Sequence, residues 1–403
     1  MVIHHNILKL IEDLYLTLTR KKYVNGNKRG EFVKAKFQKA NMLWLLMSII
    51  ITLFIAISSN IMIVNSTTIE EARNNNNNNF TVFCNISIIA CLDDIPPLEK
   101  KGDYNNQIDL ILEQINSTKL KEYIDILSYF HTRHTKSTHI ENVALWLKSE
   151  FENICKGSVF YHNYTQHDQN QTYHLKNIIC SNKQDLASSQ SNNTIIIGAH
   201  YDSRAKNINS TDARAPGADD NASGVSALLE LSRILSHLDL KYNLQFVLFS
   251  GEEQGQWGST NYVRYLNNSN LNSTIDLYLN LDMIGYPSPK ESNKVMLEYD
   301  VGNKYLYNDK YSKLISHFIK QIALNYTNSE PILDKLGNSD FIPFEAFGHT
   351  VIGIHDGGSE NNPHYHKSSD IPKTLNIKYV TSITKIVLAT ILELDKLSHY
   401  LKL

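Results

Sequence analysis

Residues 194–203 read Thr-Ile-Ile-Ile-Gly-Ala-His-Tyr-Asp-Ser, an apolar run that stops abruptly at His200, Tyr201, Asp202 and Ser203. Further apolar runs follow at 244–249 (LQFVLF), 277–281 (LYLNL) and 350–354 (TVIGI). Continuous rather than alternating apolar character is what a strand needs when both of its faces are covered, so these runs predict neighbouring strands of a largely parallel sheet. Helical spacing in Val225, Leu228, Leu229, Leu231 and Leu235, and again in Val380, Ile383, Val387, Ile391 and Leu394, supplies the covering layers. The fold class is therefore α/β, a three-layer αβα arrangement with a largely parallel mixed central sheet. Upstream, residues 158–165 and 172–180 alternate enough to form a strand pair. Thr138 with Glu141 reads as a capping box opening a helix that runs to about residue 154.

Each buried run leads into polar residues that water would satisfy more cheaply elsewhere. The first enters His200-Tyr201-Asp202-Ser203, the second Gly251-Glu252-Glu253-Gln254-Gly255, and the third Asp282-Met283-Ile284-Gly285. The last leads, after a loop, into His364-Tyr365-His366-Lys367-Ser368-Ser369-Asp370, and Gly217-Ala218-Asp219-Asp220-Asn221-Ala222-Ser223-Gly224 opens the helix near Val225. Ligands of open α/β sheets gather beyond the carboxyl ends of the strands, so these segments converge on one crevice. Taken singly, each has a bland reading as a helix cap, a solvated carboxylate pair or an exposed loop. Their joint order at successive strand ends points to imidazoles and carboxylates gathered around a divalent cation, and zinc suits that donor set in an open catalytic site.

The chain has 403 residues, with 39 Lys+Arg against 41 Asp+Glu and 42% hydrophobic residues, the profile of a globular protein with a large core. A formal charge of -2 provides no bulk basic field, so no nucleic-acid partner is expected. Cys84, Cys91, Cys155 and Cys180 have no paired CxxC spacing, which excludes a cysteine-built zinc ribbon and leaves any metal to nitrogen and oxygen ligands.

Residues 42–64 form an uncharged apolar run, about 34 Å long as a helix at about 1.5 Å per residue. The segment is longer than the apolar region of a cleaved signal and follows a longer leader, so it reads as a retained transmembrane helix. Basic residues crowd its N-terminal side between Arg20 and Lys39, whereas Glu70 and Glu71 follow it. This bias assigns 1–41 to the cytoplasm, 65–102 to an Asn-rich extracytoplasmic stalk and 103–403 to an extracytoplasmic catalytic domain, at the cell surface or in a lumen. All the cysteines then lie where disulfides persist; the close pair Cys84/Cys91 suits the stalk, and connectivity is not readable. Glycosylation motifs abound on that side, among them Asn65, Asn85, Asn116, Asn163, Asn272 and Asn325.

The motifs HYDS, GADDNASG, SGEEQGQWGS, LNLDMIGY and HYHKSSD together resemble the two-zinc aminopeptidase family that includes bacterial leucyl aminopeptidases and yeast aminopeptidase Y. The resemblance spans roughly residues 120 to 400. It implies two Zn2+ ions per chain, with His200 and Asp282 on one, Glu253 and His366 on the other, and Asp220 bridging both. It further implies Glu252 as general base, Asp202 holding the His200 imidazole, and Tyr365 donating to the tetrahedral intermediate. The substrates would be peptides with a free N-terminus. Asp219 and His364 remain the alternatives to Asp220 and His366. A cis peptide at Asp220-Asn221 is implied as well, which would bury Asn221 and make it a poor glycan acceptor. One departure stands out: Ser339-Asp340-Phe341-Ile342-Pro343-Phe344 carries Phe341 where the family commonly has histidine near the substrate pocket. Carboxypeptidases, dipeptidases and glutaminyl cyclases share the fold, and a catalytically inactive binding ectodomain is the reading from another class.

Overall fold

The computed structural model describes residues 106–183, 193–269, 275–287, 293–302, 306–357 and 362–400. The basic leader, the apolar run 42–64, the stalk with Cys84 and Cys91, and the expected domain start at 103 lie outside these residues. No helix among the described residues is long and apolar enough to cross a membrane.

The described part opens with α1 (Asn106–Leu112), α2 (Ser117–Tyr129) and α3 (Ile140–Ile154). Asn116 caps α2 by accepting from the N–H groups of Thr118 and Lys119. The third helix ends where the spacing places it, but the expected capping box does not form. His139 occupies the cap position with no side-chain bond. Burying Val143, Ala144, Leu147 and Phe151 turns Glu141 outward, where its carboxylate meets Lys176 instead.

The strands are β1 (Ser158–Asp168), β2 (Gln171–Ser181), β3 (Thr194–His200), β4 (Asn243–Phe249), β5 (Ile275–Leu281), β6 (Lys294–Tyr299), β7 (Glu330–Lys335) and β8 (Val351–His355). They form one sheet in the order β1-β2-β4-β3-β5-β8-β6-β7. The four runs read from the sequence are β4, β3, β5 and β8, adjacent and mutually parallel. The hairpin β1–β2 adds antiparallel pairing on one flank. On the other, β6 runs antiparallel to β8 and parallel to β7. Neither β6 nor β7 was legible as an apolar run, because flank strands are only partly buried.

The remaining helices are α4 (Gly224–Leu235), α5 (Trp257–Asn268), α6 (Leu306–Tyr326), α7 (Phe341–Ala346) and α8 (Ile377–Tyr400). Alternate residues of each central strand feed different cores. Ile195 and Ile197 pack with α2, α3, α4, α6 and α8 on one face, while Ile196 packs with Tyr262, Phe341 and Phe344 of α5 and α7 on the other. Helices thus cover both faces. A disulfide, Cys155–Cys180, ties the end of α3 to the end of β2.

Candidate metal centre

The sheet register delivers the first donors. In β3 and β5, Ile196 pairs with Tyr278 and Gly198 with Asn280. Side chains alternate along a strand, so His200 and the residue after β5, Asp282, project from the same face at neighbouring strand ends. The loop after β4 brings Glu252 and Glu253, and the loop after β8 brings His366. Asp220 comes from an irregular turn, Ala218–Ser223, that precedes α4.

That turn is fastened from several directions. Asp370 accepts from the backbone N–H groups of Asp219 (2.9 Å) and Asp220 (3.2 Å). The peptide Asp220-Asn221 is cis. Asn221 donates to Leu281 O at 2.8 Å and accepts from Gly224 N and Met283 N, which ties the turn to the end of β5. It is fully buried, so it is excluded as a glycan acceptor. Gly217 has φ +52, and a Cβ there would come within 2.3 Å of Asp220 O. The buried Arg133 guanidinium donates to the carbonyls of Tyr201, Leu127, Pro216 and Gly217. Burial lowers its pKa to about 10, against the pull of Asp370, Asp220, Asp202 and Glu253.

Asp220 faces both imidazoles: Oδ1 lies 3.3 Å from His200 Nε2, and Oδ2 lies 3.0 Å from His366 Nε2. Asp282 Oδ1 is 3.2 Å from His200 Nε2, and Glu253 Oε2 is 3.2 Å from His366 Nε2. Two overlapping triads result, His200/Asp220/Asp282 and Asp220/Glu253/His366, whose donor atoms lie within 4.8 Å of one another. The alternatives left open by the sequence point elsewhere. Asp219 accepts from Gly285 N (2.8 Å) and Asn362 Nδ2 (2.7 Å), and His364 bonds Ser369 Oγ at 3.0 Å.

Asp202 behaves as a brace. Its oxygens accept from Thr135 Oγ1 (2.8 Å) and from the N–H groups of Glu252 and Glu253 (3.2 Å each), while its carbonyl lies 3.2 Å from His200 Nδ1. One residue therefore fixes the end of β3 and the turn after β4 together. Glu252 itself takes a hydrogen bond from Gln256 Nε2 at 3.0 Å. Tyr365 stacks on His366, with ring centroids 3.6 Å apart.

Several contributors were not legible in the sequence. Ser339 donates to Asp282 Oδ2 at 2.7 Å, and Asn280 donates to Ser339 at 2.9 Å. Arg204 Nε lies 2.7 Å from Glu253 Oε2. These partners are distant in the chain; the local signals were Gln256, four residues after Glu252 where a following turn brings it back, Arg204, directly after HYDS, and Asn280 and Ser339, which stand in quoted stretches without a readable partner. Phe341 is 1% exposed and belongs to the core beneath α5 and α7.

The electrostatics are those of a cation site. Burial pushes the Glu252 carboxyl well up, with Asp340, Asp282 and Glu253 adding to it against His200. Glu253 is raised by burial and by Asp220. Burial works against the Asp220 carboxylate, yet His200 and His366 hold it below the usual range. Burial likewise opposes charge on His366, but Asp220 and Glu253 raise it to about 9. One N–H on His200 cannot satisfy Asp220 and Asp282 at once, and Glu253 Oε1 is buried with no hydrogen-bond partner. A divalent cation fits each triad: N/O donors, three to an ion, leaving a position open.

The profile of peptidase family M28 matches residues 177–391, more than half of the chain. The chain belongs to peptidase family M28. It is accordingly a metallopeptidase, a hydrolase of peptide bonds. A probable zinc metalloprotease of Pyrenophora tritici-repentis is 25% identical over 327 residues, covering 70% of this chain and 74% of its own. Leucine aminopeptidase 1 of Neurospora crassa is 24% identical over 304 residues, covering 73% of this chain and 72% of its own. The LapA aminopeptidase of Legionella pneumophila superposes with a TM-score of 0.60 at 21% identity, covering 74% of this chain and 78% of that one. At that identity the superposition establishes the shared fold alone. The αβα architecture of this M28 peptidase agrees with it.

Proposed function

We propose that this M28 peptidase is a membrane-anchored aminopeptidase carrying two zinc ions, one held by His200, Asp220 and Asp282 and the other by Asp220, Glu253 and His366. The observation that carries the reading is the Asp220 carboxylate, with Oδ1 toward His200 at 3.3 Å and Oδ2 toward His366 at 3.0 Å. A single carboxylate shared between two donor triads is what a paired site requires. Relatives named zinc metalloprotease and leucine aminopeptidase support the choice of metal and substrate. When bound, such ions supply Lewis acidity toward the scissile carbonyl and lower the pKa of water.

The chain's own residues supply the proton transfers and the positioning. Glu252 takes the proton of the attacking water and passes it to the leaving amine, a role open to a carboxylate beside the donors but outside both triads. Gln256 holds one of its oxygens in place. Asp202 fixes the His200 ring and the backbone of both glutamates. Burial keeps the Tyr365 phenol protonated by raising its pKa, so it can donate to the developing oxyanion. Residues 42–64 anchor the chain and 65–102 carry the catalytic domain away from the membrane on its extracytoplasmic side.

Zinc per chain and hydrolysis of leucine anilide, compared with its N-acetylated form, test the reading. Two zinc ions and activity confined to the free amine are expected. Cleavage of the blocked substrate, or of C-terminal residues, would give the site to another exopeptidase of this fold, and an inert, metal-free protein would leave a binding module. Alkaline washing of membranes checks the anchor, since the full chain should stay in the pellet.

A further inference from the structure

The polar row that holds the metal donors does not stop at Asp282. Leu281 of β5 pairs with Ile354 of β8, and Asp282 N donates to Ile354 O at 3.3 Å. His355, the last residue of β8, therefore stands beside Asp282 on the next strand. It shares the β8 face of Val351, which packs in the core beneath α5 and α7, as does Tyr278 of β5, whose alternation leads to Asp282. One strand further, Glu298 of β6 lies opposite Gly353, on that same face. His200, Asp282, His355 and Glu298 thus form a continuous line across β3, β5, β8 and β6.

The last two make a pair that none of the proposed metal chemistry uses. His355 Nε2 lies 3.5 Å from Glu298 Oε1, with side chains 21% and 14% exposed, so both keep contact with solvent. Gly337 N donates to Glu298 Oε1 at 2.9 Å. Gly357 N donates to His355 Nδ1 at 3.0 Å, which leaves the ring hydrogen on Nε2, facing Glu298. Burial opposes charge on the His355 ring, but Glu298, Asp356 and Asp282 raise its pKa; with these carboxylates around one imidazole, the surroundings of the pair are anionic. Space for it is kept by Gly353, where a Cβ would come within 2.6 Å of Glu298 Oε2 and 2.9 Å of Phe341.

Which part of a substrate meets this pair follows from the direction of cleavage. Glu252 protonates the leaving amine and lies on the loop after β4, so the leaving portion departs on that flank. The N-terminal residue occupies the opposite flank, over β5, β8 and β6. We propose that Glu298 and His355 form the recognition site for the side chain of the N-terminal residue and select a cationic one, lysine or arginine, over leucine. A carboxylate oriented by an imidazole nitrogen and a backbone N–H receives an ammonium or guanidinium through charge-assisted hydrogen bonds. An apolar side chain would take water from the Glu298 carboxylate and offer no charge in exchange, and an acidic one would be repelled.

This inference rests on the aminopeptidase reading, and the test separates the two. Full-length zinc-loaded protein is assayed on lysyl, arginyl, leucyl and glutamyl anilides, and binding of lysinamide and leucinamide is measured by calorimetry. The wild type should favour lysine and arginine over leucine by about 10-fold or more in kcat/KM. Glu298→Gln should erase that preference through KM for the cationic substrates, leave leucine hydrolysis within about twofold and keep the zinc content. Leucine preferred by the wild type, or a variant that depresses all substrates alike, overturns the recognition site while the aminopeptidase reading stands. No cleavage of any free-amine anilide defeats the aminopeptidase reading. In that event tighter binding of lysinamide than leucinamide, weakened by Glu298→Gln, still supports the recognition site, and equal binding overturns it.

Discussion

Asp202 receives hydrogen bonds from a threonine hydroxyl and from two consecutive backbone amides while its carbonyl faces the His200 ring. Replacing it by asparagine keeps the shape but removes a charge and one acceptor oxygen. Asp202→Asn should therefore weaken zinc affinity or kcat/KM by about 10–100-fold, measurable by competition with a chelating dye and by anilide hydrolysis. Glu252→Gln should behave differently: the metal content proposed above should stay, because Glu252 belongs to neither donor triad, while kcat falls by about 100-fold to 10,000-fold. Metal analysis beside a single-turnover assay distinguishes the two, and full activity in the second variant would remove Glu252 from the mechanism. At this scale the sequence was most informative. His200, Asp220, Glu253, Asp282 and His366 each stood in a motif, and they converge. Arg133 stayed invisible because its partners are backbone carbonyls; Ser339 and Arg204 stand in or beside a motif, but their bonds to Asp282 and Glu253 join residues far apart in the chain and leave no pattern to read.

Strands buried on both faces announce themselves, which is why β3, β4, β5 and β8 were legible. The flank strands β6 and β7 mix buried and open positions and lie beyond such a signal. The disulfide was likewise unreadable until α3 and β2 were placed side by side. Closing a loop over a sequence separation of 25, Cys155–Cys180 should contribute about 3 kcal/mol, so Cys155→Ser should lower the denaturation midpoint in urea by that equivalent. β5 contains a different liability. Burial raises the Asp276 carboxyl to about 7, and one of its oxygens is buried without a hydrogen-bond partner. A raised folded-state pKa means that the protonated form is favoured by folding. Its stabilising contribution is complete below about 4, the unfolded value, and is lost as pH climbs through 7. Asp276→Asn should thus match the wild type in acid and exceed it in thermal midpoint above pH 7; a difference that stays flat with pH would contradict the sign.

Over the described residues, the buried Asp202, Asp220, Glu252 and Glu253 and the partly buried Asp282 converge in a crevice with two imidazoles. Such a concentration of carboxylates couples folding to cation binding. At zinc a thousandfold above Kd, each ion should add about 4 kcal/mol, so chelation should lower the thermal midpoint by about 10 °C and added zinc restore it. An unchanged midpoint in scanning calorimetry would mean that the crevice holds itself together without metal. The order of the pieces along the chain carries a consequence for biosynthesis. Asp370 anchors the backbone of Asp219 and Asp220 from about 150 positions downstream, and His366 arrives in the same late stretch. A polypeptide emerging from the ribosome cannot close the crevice until synthesis has passed Asp370. Chains terminated upstream of His366 should therefore lack peptidase activity, because the brace on Asp219 and Asp220 and the His366 imidazole are both missing from them.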